Sequence, residues 1–569
     1  MKNALVAGIL YQVADLLEMQ DVPFRPQAYR RAARSVESMQ RPVEEIAREG
    51  RDALMEIPGV GEAIAEKIEE IARTGSLAYL DELKGGMPIN VDELFSVEGV
   101  GPHKAKLFYE KLGVRDLDSL ERAAKEGKLC KLPGMGEKSA QQILESIKFA
   151  RTAGKRALLG HILPVAEDMK RRLAALKEVE DVEVAGSIRR MKETIGDIDM
   201  LVVTDAPQKV SEFFTKLPNV ERVIAKGSTK STVELAEGVQ CDLRVVEKKS
   251  FGSALMYFTG NKDHNIAMRR IAIKNGWKLS EYGLFKGARQ IAGRTEREVY
   301  GKFGMPYIEP ELREMTGEIE AALKHRLPKL VGYGDIRGDL QMHTKWSDGV
   351  NTIEQMAGAA KALGYEYVGI SDHVGTLRIA GGMMAGGVAK QDVAIAKARK
   401  AVRGIIILHG AEVSILSDGR LDMKDAVLKE LDYVIASVHG GFRQTQEQMT
   451  KRIIAAMENE HVNIIGHPTG RLIQERKPYD VDMEELFAAS KRTGTLLEVN
   501  AFPNRLDMNS ENVRRAMELG CRTMINTDAH SSEHLKFMRL GIATARRGWA
   551  EKKDVVNTLP LKKMMKELK

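Results

Sequence analysis

The chain is 569 residues long, 43% hydrophobic and 29% charged, with a formal net charge of +7. That length exceeds the roughly 250–300 residues served by one hydrophobic core, so two to four domains are expected, and the composition excludes a disordered or fibrous chain. Three widely spaced cysteines (Cys130, Cys241, Cys521) exclude a disulfide framework and point to a reducing, cytoplasmic setting, and no run approaches the apolar length of a membrane span.

The opening segment, "MKNALVAGILYQVADLLEMQ", places Asp15 and Glu18 among apolar positions at helical spacing, so it reads as an amphipathic helix and not as a signal peptide. Helical periodicity continues to about residue 150. Within it one motif recurs three times, as "EIPGVGEAIAEKIEEIA", "SVEGVGPHKAKLFYEKL" and "KLPGMGEKSAQQILESI". Each joins an apolar residue, a Gly-x-Gly turn (Gly59 and Gly61, Gly99 and Gly101, Gly134 and Gly136) and an amphipathic helix. This is the helix-hairpin-helix pattern. Its glycines let backbone approach a phosphate, and the amides opening the helix point at the anion. Such contacts hold DNA without reading its sequence. One copy alone is more simply a helix after a glycine turn; three in one basic chain favour DNA.

From about residue 180 short β-rich runs begin: "DVEVAGSIRR", "DIDMLVVT" and "CDLRVVE". Asp197 and Asp199 stand two apart on a strand and so face one side, where Asp242 on a second strand can join them. Three converging carboxylates repel unless hard cations neutralise them, and a pair of Mg²⁺ ions is the natural occupant, suited to in-line phosphoryl chemistry. Upstream, Gly186 offers close backbone approach, Ser187 a hydroxyl and Arg190 a bidentate fork to a triphosphate.

Prolines and glycines around 305–335 suggest a connection, after which strands and helices alternate as in an α/β barrel. Several apolar strands end on a metal-type ligand: His373, His439, His467, then Asp528 and His530, with Glu412 inside another strand. In a barrel these ends converge on one face. A single buried His is more often structural, but five such ligands at successive strand ends imply metals. In "GDLQMHTKWSDG", His343 fits the same scheme, while Gln341 stands where a second His would be expected. A Gln carbonyl is a neutral, harder donor, so one metal should be loosely held, with Mn²⁺ favoured over Zn²⁺. His409, His461 and His534 fit no such slot and read as structural or surface residues.

The G-S-x-R-R and G-D-x-D arrangement, with the later strand aspartate and "YFTGNKDHNIAMRR", resembles the family X DNA polymerases of the beta type over residues 1 to about 315. The resemblance implies Asp197, Asp199 and Asp242 as metal ligands, Asp242 nearest the primer hydroxyl, and Gly186, Ser187, Arg190 and Arg156 as phosphate contacts. It implies Tyr257, Phe258 and Gly260 near the sugar, Asn265 at the base edge and Arg269 against the template. In family members a lysine matching Lys67 forms a Schiff base with an abasic sugar, and Arg25 and Tyr29 match that pocket. Gln240 and Lys262 depart from residues found in vertebrate members, which bears on closure and fidelity. The remaining half resembles the PHP (polymerase and histidinol phosphatase) domain, which holds up to three Mn²⁺ or Zn²⁺ ions. The set it implies is Gln341, His343, Asp348, His373, Glu412, His439, His467, Asp528 and His530.

The expected chain is therefore multidomain, α+β and α/β: residues 1–90 an N-terminal lyase or DNA-binding domain, 91–150 a fingers-like domain, 151–250 a nucleotidyltransferase palm and 251–318 a thumb. A linker at 319–335 leads to a distorted (β/α)7 PHP barrel at 336–569. Expected partners are gapped or primer-template DNA and dNTPs, for a monomer that fills short gaps in base excision repair. The PHP domain is expected to add 3′-5′ exonuclease, and AP-endonuclease or 3′-phosphatase activity as in some relatives. The competing readings are a PHP half kept as a silent scaffold, and a nucleotidyltransferase acting on RNA or a small molecule.

Overall fold

The computed structural model describes residues 3–568 except 38, 40–42, 87, 88, 96, 98, 99, 138, 142, 145, 148–155, 378 and 379. Gly99 of the second hairpin thus lies outside the described residues. The described residues up to 147 are predominantly helical, and one apolar core runs through them from Val6 to Ile147. The helix Glu62–Thr74 shows why the sequence folds this way. Ile64, Ala65, Ile68 and Ile71 recur on one face and are buried. Gly61 precedes it in extended geometry, and Gly75, left-handed at φ 78°, ends it by donating its N–H to the Ile71 carbonyl. In two hairpins the first glycine is left-handed, Gly59 at φ 81° and Gly134 at φ 73°, a conformation that few other residues tolerate.

A five-stranded mixed sheet follows, in the order Val179–Val184, Asp197–Thr204, Gln240–Val245, Lys230–Leu235, Val220–Ala225. Only the pairing of Asp197–Thr204 with Gln240–Val245 is parallel. Alternation buries Ile198, Met200 and Val202 beneath the sheet and leaves Asp197 and Asp199 on its other face. The segment "GSIR", Gly186–Arg189, is a single helical turn. The next unit joins the helices Phe251–Thr259 and Lys262–Lys274 to a three-stranded antiparallel sheet and the helix Glu296–Lys302. Residues Glu318–Leu323 form another helix, whose Ile319 and Ala322 pack into that unit's core, while Val331 enters the core of the barrel.

Seven parallel strands make the C-terminal barrel: Gly338–Asp339, Tyr367–Ile370, Ile406–Ser414, Tyr433–Ser437, Ile464–Ile465, Leu496–Asn500 and Thr523–Asn526. The short strand His373–Val374 prolongs the second along Ile406–Ser414. A parallel bridge between Met342 and Ala529 brings first and last strands together. Most of these strands are buried on both faces, as a parallel sheet requires.

The barrel and the palm share apolar contacts. Leu506, Leu540 and Ala543 complete the palm core, Gly160 has no room for a side chain against Pro503 (2.7 Å from an ideal Cβ), and Arg471 grips Glu193 at 2.7 and 3.2 Å. On the thumb side, buried Arg546 pairs with Glu311 at 2.8 Å.

Candidate active sites

The palm site is set by strand register. Asp199 pairs directly with Asp242 across the parallel strands, and Asp197 pairs with Gln240. Burial and the neighbouring Asp197 push the Asp199 carboxyl up to about 6. Asp242 is also partly buried, yet hydrogen bonds from Lys230 (2.7 Å) and Thr232 (2.6 Å) hold it below its ordinary range. Arg244 approaches it at 3.3 Å and stacks on the Phe258 ring, 4.6 Å from the centroid. Gly186 sits at φ 65°, and a Cβ there would lie 3.0 Å from Asp199 Oδ2. The glycine of the G-S pair is therefore fixed by the carboxylate it touches. A divalent cation fits this face, since it relieves the mutual repulsion that raises Asp199.

Ser187 follows on the same turn, half-buried. Arg190 donates to Glu314 Oε1 at 2.7 Å and to the Thr259 carbonyl, which brings the "YFTG" segment against the palm. Arg156 packs on Gly196 and donates to Thr194, just upstream of Asp197. Tyr257 and Phe258 meet edge to face at 5.1 Å. Asn265 donates to the Tyr257 carbonyl at 2.6 Å, and together with Arg269 they line a small cleft. In the N-terminal unit the Lys67 ammonium lies 4.9 Å over the Tyr79 ring, which Arg25 also approaches at 5.8 Å; Tyr29 is buried nearby.

At the barrel's C-terminal face, Glu412 is the hub. His439 and His467 reach one carboxylate oxygen at 3.1 and 3.2 Å, and His343 and His373 reach the other at 3.3 and 3.5 Å. Asp528 lies 3.1 Å from His343, and Asp348 lies 3.4 Å from His530 and 3.8 Å from His373. Three overlapping groups result, each close enough to share an ion: His343, Asp348, His373 and His530; His373, Glu412 and His439; His343, Glu412 and Asp528. Gln341 is fully buried, and neither its carbonyl oxygen nor its amide nitrogen has a hydrogen-bond partner; His467 Nδ1 is likewise unpartnered. Orphaned buried polar atoms of this kind are what a cation would satisfy. Burial disfavours charge throughout, yet Asp528 and Glu412 hold His343 well above its ordinary value, while burial pushes His373 down to about 3.

Several supporting residues escaped the sequence. Buried Asp372 accepts from Thr344 and Ser347, each at 2.6 Å, and so fixes the loop that carries Asp348. Glu498 accepts from the His467 amide at 2.8 Å, and Asn500 bridges Glu498 to Asp528. His534 accepts from the His530 amide at 3.2 Å and stacks on Phe537, so it supports a ligand. His409 is occupied by Gln391 and Asp392, away from the cluster.

A nucleotidyltransferase palm with its thumb, followed by a metal-type barrel, defines a DNA polymerase core joined to a phosphoesterase. The family models agree: a helix-hairpin-helix domain over 1–77, a SAM-like helix-hairpin-helix tandem over 91–148, the DNA polymerase beta thumb over 254–314 and the PHP domain over 339–501. The chain is 38% identical over 562 residues to the DNA polymerase/3′-5′ exonuclease PolX of Bacillus subtilis, covering 98% of this chain and 97% of that protein. The chain belongs to the family X DNA polymerases that carry a PHP domain. It is also 28% identical to DNA polymerase lambda of Rattus norvegicus over 55% of its length and 56% of that protein. A probable phosphatase of Thermoanaerobacter is 36% identical over 23% of this chain and 55% of its own.

Proposed function

We propose that the chain is a DNA-directed DNA polymerase that fills short gaps in repair, and that its PHP domain is a 3′-5′ exonuclease. The observation that carries the reading is the pairing of Asp199 with Asp242 beside Gly186, in a chain that matches a polymerase/exonuclease end to end. Divalent cations, Mg²⁺ at the palm and Mn²⁺ or Zn²⁺ at the barrel, would supply Lewis-acid charge to the reacting phosphates. In the palm, Asp197, Asp199 and Asp242 would hold two of them. Ser187 and Arg190 then bind the triphosphate, for which Arg190 must exchange Glu314 for phosphate oxygen. Tyr257, Phe258, Asn265 and Arg269 orient sugar, base and template, so that the primer hydroxyl lies in line with the α-phosphate. Three hairpins, including Gly59, Gly61, Gly101, Gly134 and Gly136, supply sequence-independent grip on the duplex.

At the barrel, Gln341, His343, Asp348, His373, Glu412, His439, His467, Asp528 and His530 would hold up to three ions, with Asp372, Glu498 and His534 keeping the ligands in place. Among the described residues no helix is long and apolar enough to cross a membrane; we assign the protein to the cytoplasm, as a monomer. The test is a one-nucleotide gapped duplex incubated with and without dNTPs, under Mg²⁺ and then Mn²⁺. Insertion of one nucleotide with dNTPs, and shortening from the 3′ end without them, is the expected result; neither occurring would overturn the reading.

A further inference from the structure

The helix Arg25–Glu37 and the Pro58–Gly59 turn do more than pack within their own core. They stand opposite the barrel loop that carries Asp348 and enclose with it a cavity of ≈ 550 Å³. On the N-terminal side its wall presents Gln27, Arg31 and Arg34; on the barrel side it presents Ser347, Asp348 and Gly349. Asp348 is also the carboxylate that meets His530 at 3.4 Å and His373 at 3.8 Å. The cavity therefore reaches one carboxylate of the metal-type cluster, with two arginines among the residues of the opposite wall.

Both walls are tightly built. Gly59 is left-handed, and an ideal Cβ there would sit 3.2 Å from Arg31 Cβ, so the hairpin turn lies flat on the helix that carries the two arginines. On the other side a Cβ at Gly349 would collide with the His343 backbone at 2.2 Å. The volume suits one or two nucleotides, within the range of about 300–1,000 Å³ typical of small-ligand sites, and not a duplex.

We propose that this cavity is the substrate site of the PHP centre for a single-stranded 3′ end, with Arg31 and Arg34 holding the phosphates next to the scissile one. The inference rests on the exonuclease reading. In each cycle water supplies the new P–O bond, the P–O3′ bond breaks, and the leaving 3′ oxygen takes up a proton; a 5′-mononucleotide is released. The N-terminal unit thus forms half of the exonuclease's binding site.

The test compares the full-length wild type with the double variant Arg31→Ala, Arg34→Ala. Degradation of a single-stranded oligonucleotide is followed under Mn²⁺ at several salt concentrations, beside hydrolysis of bis(p-nitrophenyl) phosphate, which is too small to span the arginines. Loss of two phosphate contacts should raise KM for the oligonucleotide by about tenfold or more and flatten the log–log salt slope by about 1.4, with the small diester hydrolysed at little-altered rate. A double variant whose KM and salt slope match the wild type overturns the inference alone. Equal loss on both substrates also overturns it, since the arginines would then be supporting the Asp348 loop. A wild type that hydrolyses neither substrate removes the exonuclease reading and this inference with it.

Discussion

Asp199 lies directly across the parallel strand pair from Asp242, yet burial and Asp197 drive the first carboxyl up to about 6 while Lys230 and Thr232 hold the second below its ordinary range. With its proton held more tightly in the folded state than in the unfolded chain, Asp199 makes the metal-free protein lose stability as pH rises from the ordinary carboxylate range through about 6. The loss is about 3 kcal/mol at most. In chelator, Asp199→Asn should abolish that part of the pH dependence, read as the midpoint of thermal unfolding between pH 4 and pH 7. Added Mg²⁺ at pH 7.5 should raise the midpoint of the wild type more than that of the variant. Identical pH profiles for the two would refute the assignment.

The two centres should separate by mutation. Asp197→Ala with Asp199→Ala should lower gap filling by about a thousandfold or more, the several kcal/mol that a metal clamp supplies, and leave nucleotide release from 3′ ends intact. His343→Ala should do the reverse. Steady-state assays of both activities on each variant decide the matter.

Gly186→Ala tests the close approach to Asp199. A left-handed alanine costs about 1–2 kcal/mol, and its Cβ would press on the carboxylate oxygen 3.0 Å away. Gap-filling kcat should fall at least tenfold while exonuclease activity is retained; a variant of normal polymerase activity would show that the approach is not needed.

Gln341 is buried with both amide atoms unpartnered. Dialysis against chelator should remove one metal from the barrel readily, and nuclease activity should climb steeply with added Mn²⁺. Gln341→His should retain more metal per chain after the same dialysis, measured by elemental analysis. A wild type that keeps its full complement would contradict this.

Lys67, over the Tyr79 ring and near Arg25, is placed to meet an abasic sugar. Borohydride trapping on a 5′-incised abasic duplex should yield a covalent adduct that Lys67→Ala lacks. No adduct with the wild type would remove a lyase role.

Much of this was legible in the sequence because strand geometry is periodic. Two aspartates two residues apart must share a face, and ligands at the ends of parallel strands must converge in a barrel. What escaped reading depends on packing between distant segments. Lys230 and Thr232 reach Asp242 only through the register of antiparallel strands, and Glu314 meets Arg190 only once the thumb is docked. Arg244, two residues after Asp242 and on its face, was the one companion that spacing alone could have suggested. Asp372 carries no signal of its own beside His373; its role follows from the loop that folds over it.

Leu506, Leu540 and Ala543 of the barrel fill the palm core, and Gly160 leaves no gap against Pro503. The nuclease half is thus also a buttress of the polymerase half. A lineage could discard every metal ligand at the barrel mouth and still be obliged to inherit the barrel, because cutting it away would strip the palm of part of its own interior. Chemistry and scaffold can drift apart in such a chain; the two halves cannot.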